Sequence, residues 1–214
     1  TPRHDAVASD VIEFLVTDGY DTTSGFVQVT IINQAPVAVD DVANCSKNLQ
    51  TTVDLLSNDY DPNKDKIVLA DFTSLDTELG GKIERLNDQQ VRYTAPKGVY
   101  PGRDSVEYTI RDVQESSEND MTATATLYID LYNEAPVAQD DEVTVVRKKT
   151  VVVNVLANDS DPNGDSLTIT SVDSSDASII ESGKNISYTA GNNIGSYQFN
   201  YDIEDVDGAS ASAT

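Results

Sequence analysis

The chain repeats itself, and a unit copied in tandem constrains the fold more than any single residue does. Asn33 opens N-Q-A-P-V-A-V-D-D, and Asn133 opens N-E-A-P-V-A-Q-D-D, 100 residues later. Val53 opens V-D-L-L-S-N-D-Y-D-P-N-K-D, and Val153 opens V-N-V-L-A-N-D-S-D-P-N-G-D at the same offset. Further on the copies drift. Tyr93-Thr94-Ala95 returns 95 residues later as Tyr188-Thr189-Ala190. Val106-x-Tyr108-x-Ile110-x-Asp112 returns 93 residues later as Phe199-x-Tyr201-x-Ile203-x-Asp205. The later copy has therefore lost seven residues, expected in the turns between Thr73 and Asp104. Ile12-x-Phe14-x-Val16-x-Asp18-Gly19 matches the stretch ending at Asp112, and Phe26 to Ile32 matches Thr124 to Leu131. The predicted organisation is residues 1–33 as the C-terminal strands of an incomplete preceding repeat, 34–133 as a complete repeat, and 134–214 as a repeat lacking its final strand. That missing strand is the counterpart of Leu127 to Asn133, so an unpaired strand edge is expected in the last copy. The ends read as cuts in a longer array.

Within each copy the apolar residues alternate with polar ones. Val27-x-Val29-x-Ile31, Val91-x-Tyr93, Val106-x-Tyr108-x-Ile110, Val143-x-Val145 and Leu167-x-Ile169 all have period two. This is the pattern of half-buried antiparallel strands. Seven short strands in about 100 residues predict an immunoglobulin-like sandwich. In the complete copy, strand A opens at Asp40-Asp41, B runs near Thr52 to Leu56, and C covers Ile67 to Phe72. Lys82 to Leu86 and Val91 to Thr94 supply D and E, F ends at Asp112, and G spans Thr122 to Leu131. With no Trp and a single Cys, the core must be Val, Ile, Leu, Tyr and Phe without a disulfide, and Cys-rich metal sites are excluded. The single His4 excludes His-cluster metal sites and disfavours a Ser-His-Asp triad.

In such a sandwich the start of strand A, the B–C turn and the F–G loop share one pole. The pole of the complete copy should gather Asp40, Asp41, Asn58, Asp59, Asp61, Asn63, Asp65 and Asp112. The next copy should gather Asp140, Asp141, Asn158, Asp159, Asp161, Asn163, Asp165 and Asp205, and Asp18 holds the equivalent strand-end position in the first segment. Carboxylates about 5 Å apart repel by roughly 1 kcal/mol per pair in water, and by several-fold more where water is partly excluded. A hard divalent cation relieves this. Ca2+ takes six to eight oxygen ligands in flexible geometry, whereas Mg2+ demands a tight octahedron. Asp159-x-Asp161-x-Asn163-Gly164-Asp165 places oxygen side chains at alternate positions with Gly at the sixth, as in the first half of an EF-hand loop. Thr170 stands where the closing Glu would be, so the missing ligands should come from strand A and the F–G loop. Lys64 replaces that Gly in the earlier copy, and a weaker or differently shaped site is expected there. These seventeen residues are the candidate Ca2+ ligands; no catalytic or organic cofactor site is expected.

These blocks together resemble the tandem bacterial Ig-like or cadherin-like repeats of large secreted adhesins, RTX-type surface proteins and some polysaccharide-degrading exoproteins. The resemblance spans the chain. Its departures are Lys64 and the long acidic F–G loop, Asp112 to Asp120, and the glycine-rich RTX nonapeptide is absent. It implies an all-β fold of tandem immunoglobulin-like (cadherin-like) antiparallel β-sandwich repeats, with calcium near the domain junctions. Short Pro-containing linkers, Asn33 to Ala38 and Asn133 to Ala138, favour an extended path, so an elongated rod is expected. The formal net charge of −23 argues against nucleic acid and anionic membrane as partners, and no stretch is apolar enough for a helical span. The expected function is a calcium-stiffened extender of an extracellular or cell-surface protein, holding a distal binding domain away from the cell, with neighbouring repeats of the same chain as partners. The alternative is a carbohydrate-binding module that takes cell-surface glycans, for which Tyr60, Tyr93, Tyr100, Tyr108 and Tyr188 would have to be exposed. Catalysis is not expected. Cys45 is expected to be buried beside strand A. Arg147-Lys148-Lys149 is read as a solvated A–B turn, or as a basic lower pole that meets the next acidic one.

Overall fold

The computed structural model describes residues 8–98, 101–113, 120–173 and 179–214. Its regular elements are nearly all strands. They form tandem immunoglobulin-like domains divided into two compact units.

In the first unit the complete repeat forms seven strands. β3 (Asp41–Ser46), β5 (Lys66–Phe72), β8 (Gly102–Val113) and β9 (Thr122–Tyr132) make one sheet in the order β3-β9-β8-β5. β4 (Gln50–Asp54), β6 (Lys82–Arg85) and β7 (Gln90–Thr94) make the other, ordered β4-β7-β6. These are the strands A to G that the alternation predicts, with ends moved by a few residues. Leu55, Leu69, Val91, Tyr93, Tyr108, Ile110, Leu127 and Ile129 are almost completely buried. Each such side chain contributes roughly 1.5–3 kcal/mol through burial. Cys45 is buried in β3 as expected, and burial pushes its thiol up.

Period two has a second consequence in β8. The face that buries Val106, Tyr108 and Ile110 also carries Asp104 and Asp112, both with no exposed surface. At about 3.3 Å per residue the two carboxylates lie roughly 26 Å apart, at opposite ends of one strand. Asp104 is fully satisfied: Tyr93 Oη donates to Oδ2 at 2.6 Å, Thr77 Oγ1 donates to the same oxygen, and the Leu79 and Ser105 amides donate to Oδ1 at 2.8 and 2.9 Å. Gly81 is required here, because a Cβ at that position would lie 2.5 Å from the Tyr93 ring and 2.7 Å from Thr77 Oγ1.

The preceding segment forms a hairpin of β1 (Ala8–Thr17) and β2 (Thr22–Ile31). Among the described residues it pairs with no further strand, and Leu15 and Phe26 remain 70% and 64% exposed.

The second unit comprises Ser46–Leu49, Lys97–Gly102 and Leu131–Thr214. One sheet is β10 (Thr150–Val153), β13 (Asn185–Thr189) and β12 (Ile179–Ser182); the other is β11 (Thr168–Val172), β14 (Tyr201–Glu204) and β15 (Ser210–Ala213). Its core is Val155, Ile169, Ile186, Tyr201, Ile203 and Ala213. β5 and β11 carry a register shift at the same repeat position, between Leu69 and Asp71 and between Ile169 and Ser171. Two expectations change. Val143-x-Val145 is not a strand: β3 pairs along β9, whereas at the corresponding place in the second unit the Asp141 amide donates to the Thr214 carbonyl at 2.9 Å. Conversely, the edge of β14 is paired along Tyr201–Glu204, where Ser210–Ala213 supplies the start of the final strand.

Candidate metal centre

The B–C turn builds itself from its own side chains, identically in both copies. Asp61 Oδ1 accepts the amides of Asn63 and Asp65 at 2.7 and 3.2 Å; Asp161 Oδ1 accepts those of Asn163 and Asp165 at 2.8 and 3.2 Å. Such Asx turns are why Asp and Asn are needed at these spacings. Lys64 and Gly164 both take the left-handed conformation, with φ of 68° and 77°. The predicted difference in shape is therefore not seen in these bonds. Lys64 instead carries the backbone strain, about 1 kcal/mol, that Gly164 avoids.

The strand-end aspartates close the arrangement. Asp112 Oδ1 accepts the Met121 amide at 2.5 Å, and Asp205 Oδ1 accepts those of Asp207 and Ala209 at 2.8 and 3.0 Å. Each Oδ2 accepts from the residue that opens its repeat: Asn33 Nδ2 to Asp112 at 2.6 Å, and Asn133 Nδ2 to Asp205 at 2.7 Å. Gln34 N and Glu134 N donate to Asn63 Oδ1 and Asn163 Oδ1 at 2.7 and 2.8 Å.

Two groups of carboxylates result. Asp61, Asp65 and Asp112 each offer an oxygen within 4.8 Å of the others, as do Asp161, Asp165 and Asp205. Asp61 is 7% exposed, and its Oδ2 is buried without a hydrogen-bond partner. The Oδ1 atoms of Asn33 and Asn133 and Asp161 Oδ2 are in the same condition. Buried acceptors without donors are costly, and oxygen-only acceptors of this kind fit a hard cation such as Ca2+.

The remaining candidates perform other work. Asp59 Oδ1 and Asp159 Oδ1 accept the amides of Val39 and Gln139, both at 2.8 Å. The Asn58 and Asn158 side-chain amides donate to the carbonyls of residues 39 and 40 and of 139 and 140. Asp40 and Asp140 cap the far sheet edge by accepting the amides of Thr126 and Thr214 at 2.8 and 2.9 Å. Asp41 and Asp141 accept from the buried Tyr108 and Tyr201 hydroxyls at 2.8 and 3.0 Å. Asp18 sits on the exposed β1–β2 turn, where the Asp21 and Tyr20 amides hold its carboxyl below the usual range. Asn33, Asn133 and Asp207 are not among the candidate ligands read from the sequence. Asn33 and Asn133 open the repeated block, so the repetition itself was the available signal.

Burial pushes Asp41 up to about 6, with Asp59, Asp54 and Asp40 adding repulsion and the Tyr108 hydrogen bond opposing. The fold thus holds this proton more tightly than the unfolded chain does. The stabilisation is complete below about pH 4 and disappears as pH rises through about 6. Without metal, the first unit should melt at a higher temperature at pH 5 than at pH 7.5. Asp41→Asn should flatten that difference in calorimetric scans; an unchanged difference would exclude Asp41 as its source.

A family model for the bacterial Ig domain matches residues 33–130 and again 133–214. The chain belongs to the bacterial Ig domain family. Bacterial Ig domains are typically non-catalytic and are carried by extracellular or surface proteins. No curated protein is significantly similar to this chain in sequence. Among solved structures, mouse protocadherin-24 EC1-3 is 12% identical, with 96% of this chain and 77% of that one covered at a TM-score of 0.38. A nucleoside hydrolase-related hypothetical protein from Saccharophagus degradans, associated with carbohydrate metabolism, is 17% identical over 47% of this chain at a TM-score of 0.37. An endo-fucoidan hydrolase of glycoside hydrolase family 107 is 17% identical over 97% of it at 0.28. This chain spans only 26% and 33% of the length of those last two. No helix among the described residues is long and apolar enough to cross a membrane.

Proposed function

We propose that this bacterial Ig chain is a calcium-stiffened extender of a large extracellular adhesin or surface protein, and that it holds a distal binding domain away from the cell. The observation that carries the reading is the gathering of Asp61, Asp65 and Asp112, each with a carboxylate oxygen within 4.8 Å of the others, in a group where Asp61 Oδ2 is buried without a hydrogen-bond partner. Asp61, Asp65 and Asp112, with Asn33 Oδ1, would hold the ion. Its chemistry there is charge neutralisation. The same residues lock the segment that leads into the domain. Val37 bridges Tyr60, Asn33 is tied to Asp112, and Gln34 and Val39 are tied to Asn63 and Asp59. An ion bound among these groups would stiffen that segment. Of the aromatics that a glycan surface would need, Tyr93 and Tyr108 are completely buried, Tyr188 is half-buried, and Tyr60 is exposed; Tyr100 lies outside the described residues.

Calorimetry in EDTA, in millimolar Ca2+ and in millimolar Mg2+ tests the reading. At 100 to 1,000 times Kd, linkage stabilises a site by about 3–4 kcal/mol. For a domain of this size that is a rise of roughly 10 °C or more. A Ca2+-selective rise supports the proposal, and small-angle scattering should then show less flexing with Ca2+. Equal melting in all three buffers would reduce the acids to structural turn residues.

A further inference from the structure

We infer that the Lys47 ammonium is a built-in counter-ion that takes the place of a divalent cation in the second acid cluster. This rests on reading the clusters as cation sites. The Lys47 side chain is 3% exposed, its Nζ lies 2.5 Å from Asp165 Oδ2, and it also pairs with Asp207 Oδ2. Asp165 is one of the three carboxylates gathered with Asp161 and Asp205.

The delivery is built into the backbone on both sides of the lysine. Its amide donates to the Tyr132 carbonyl at 2.9 Å, and its carbonyl accepts from Asn163 Nδ2 at 2.9 Å. Asn163 Nδ2 also donates to Ser46 Oγ at 2.5 Å, and Asn48 Nδ2 donates back to the Asn163 carbonyl at 3.2 Å. Asn48 takes the left-handed turn, with φ of 62°, that this path requires. Asn163 therefore belongs to the acid-bearing turn and also anchors the segment that brings in the positive charge.

A buried ammonium persists only where carboxylates pair with it. Here Asp165 and Asp207 do so, and the pairing neutralises the charge that a Ca2+ ion would otherwise neutralise. Both cations together would set like charges against the same carboxylate, so they exclude one another. The position is basic in both copies, since Arg147 stands 100 residues after Lys47.

Isothermal titration of the full chain with CaCl2 is the test. The wild type should bind one ion, lost in Asp61→Asn. Lys47→Met should bind one more, and that extra ion should be lost when Asp161→Asn is added. Two ions in the wild type, or no gain in Lys47→Met, overturns the inference. A wild type that binds none beside a Lys47→Met variant that binds one would remove the proposed role of the first cluster and support this one. A second measurement needs no variant. The buried ammonium should give a slowly exchanging 15N signal in the wild-type chain that persists unshifted at saturating Ca2+. Its disappearance on Ca2+ addition, with the fold intact, overturns the inference as well.

Discussion

Asp104→Ala should lower the stability of the first unit by about 4 kcal/mol or more, read as a loss of its unfolding midpoint in denaturant. Asp104 has no exposed surface and accepts four hydrogen bonds, from Thr77, Leu79, Tyr93 and Ser105. Truncation leaves two hydroxyls and two amides buried without an acceptor, each costing roughly 1–3 kcal/mol, and opens a cavity beside the Tyr93 ring. Asp104→Asn is the informative control. One amide oxygen can still accept the two backbone amides, and the hydroxyls can rotate to accept from the new amide group. Its cost should be smaller, about 1–2 kcal/mol. Comparable costs for the two variants would mean that the negative charge, and not the acceptor geometry, matters. The Asp104 position is Tyr197 in the second unit, aligned through Val106 and Phe199, so this node is private to the first.

Asp61→Asn should change sign with calcium. In EDTA it removes one of three gathered carboxylates while Oδ1 can still hold the Asn63 and Asp65 amides. Relief of repulsion should raise the melting temperature, corresponding to about 1–2 kcal/mol for charges a few ångström apart at an intermediate dielectric. In millimolar Ca2+ the variant should be the less stable protein, because it forfeits linkage stabilisation of about 3–4 kcal/mol at 100 to 1,000 times Kd. The crossing of the two melting curves is the signature, and calorimetry of both proteins in both buffers reads it directly. A variant less stable than wild type by the same amount in EDTA and in Ca2+ would show that Asp61 is only a turn former.

Much of this was legible without coordinates. The 100-residue offset marks the copies, and alternation marks the strands, because strand side chains point to opposite faces with period two. The same period places Asp112 on the core side of β8. The spacing of Asp61, Asn63 and Asp65 already implies a turn closed by its own side chains, since an Asp accepts amides two and four residues on. These are local relations, carried by neighbours in the chain.

The partition of the acids was not legible. Asp41 and Asp61 look equivalent in a list of carboxylates, yet one meets the Tyr108 hydroxyl and the other retains a buried oxygen without a donor. That difference depends on a residue 67 positions from Asp41 in the chain. Asp59 spends one oxygen on the Val39 amide and keeps the other buried without a donor, as Asp61 does, yet it is not one of the three gathered carboxylates. The pairing of Lys47 with Asp165 and Asp207 spans more than a hundred residues of sequence. The sequence by itself determined the sandwich class, the number of copies and the local form of each acidic turn, because hydrophobic period and turn chemistry act over a few residues. Only the tertiary structure decided which carboxylates gather, which are occupied, and which face a lysine, because electrostatic pairing follows distance in space and not order along the chain.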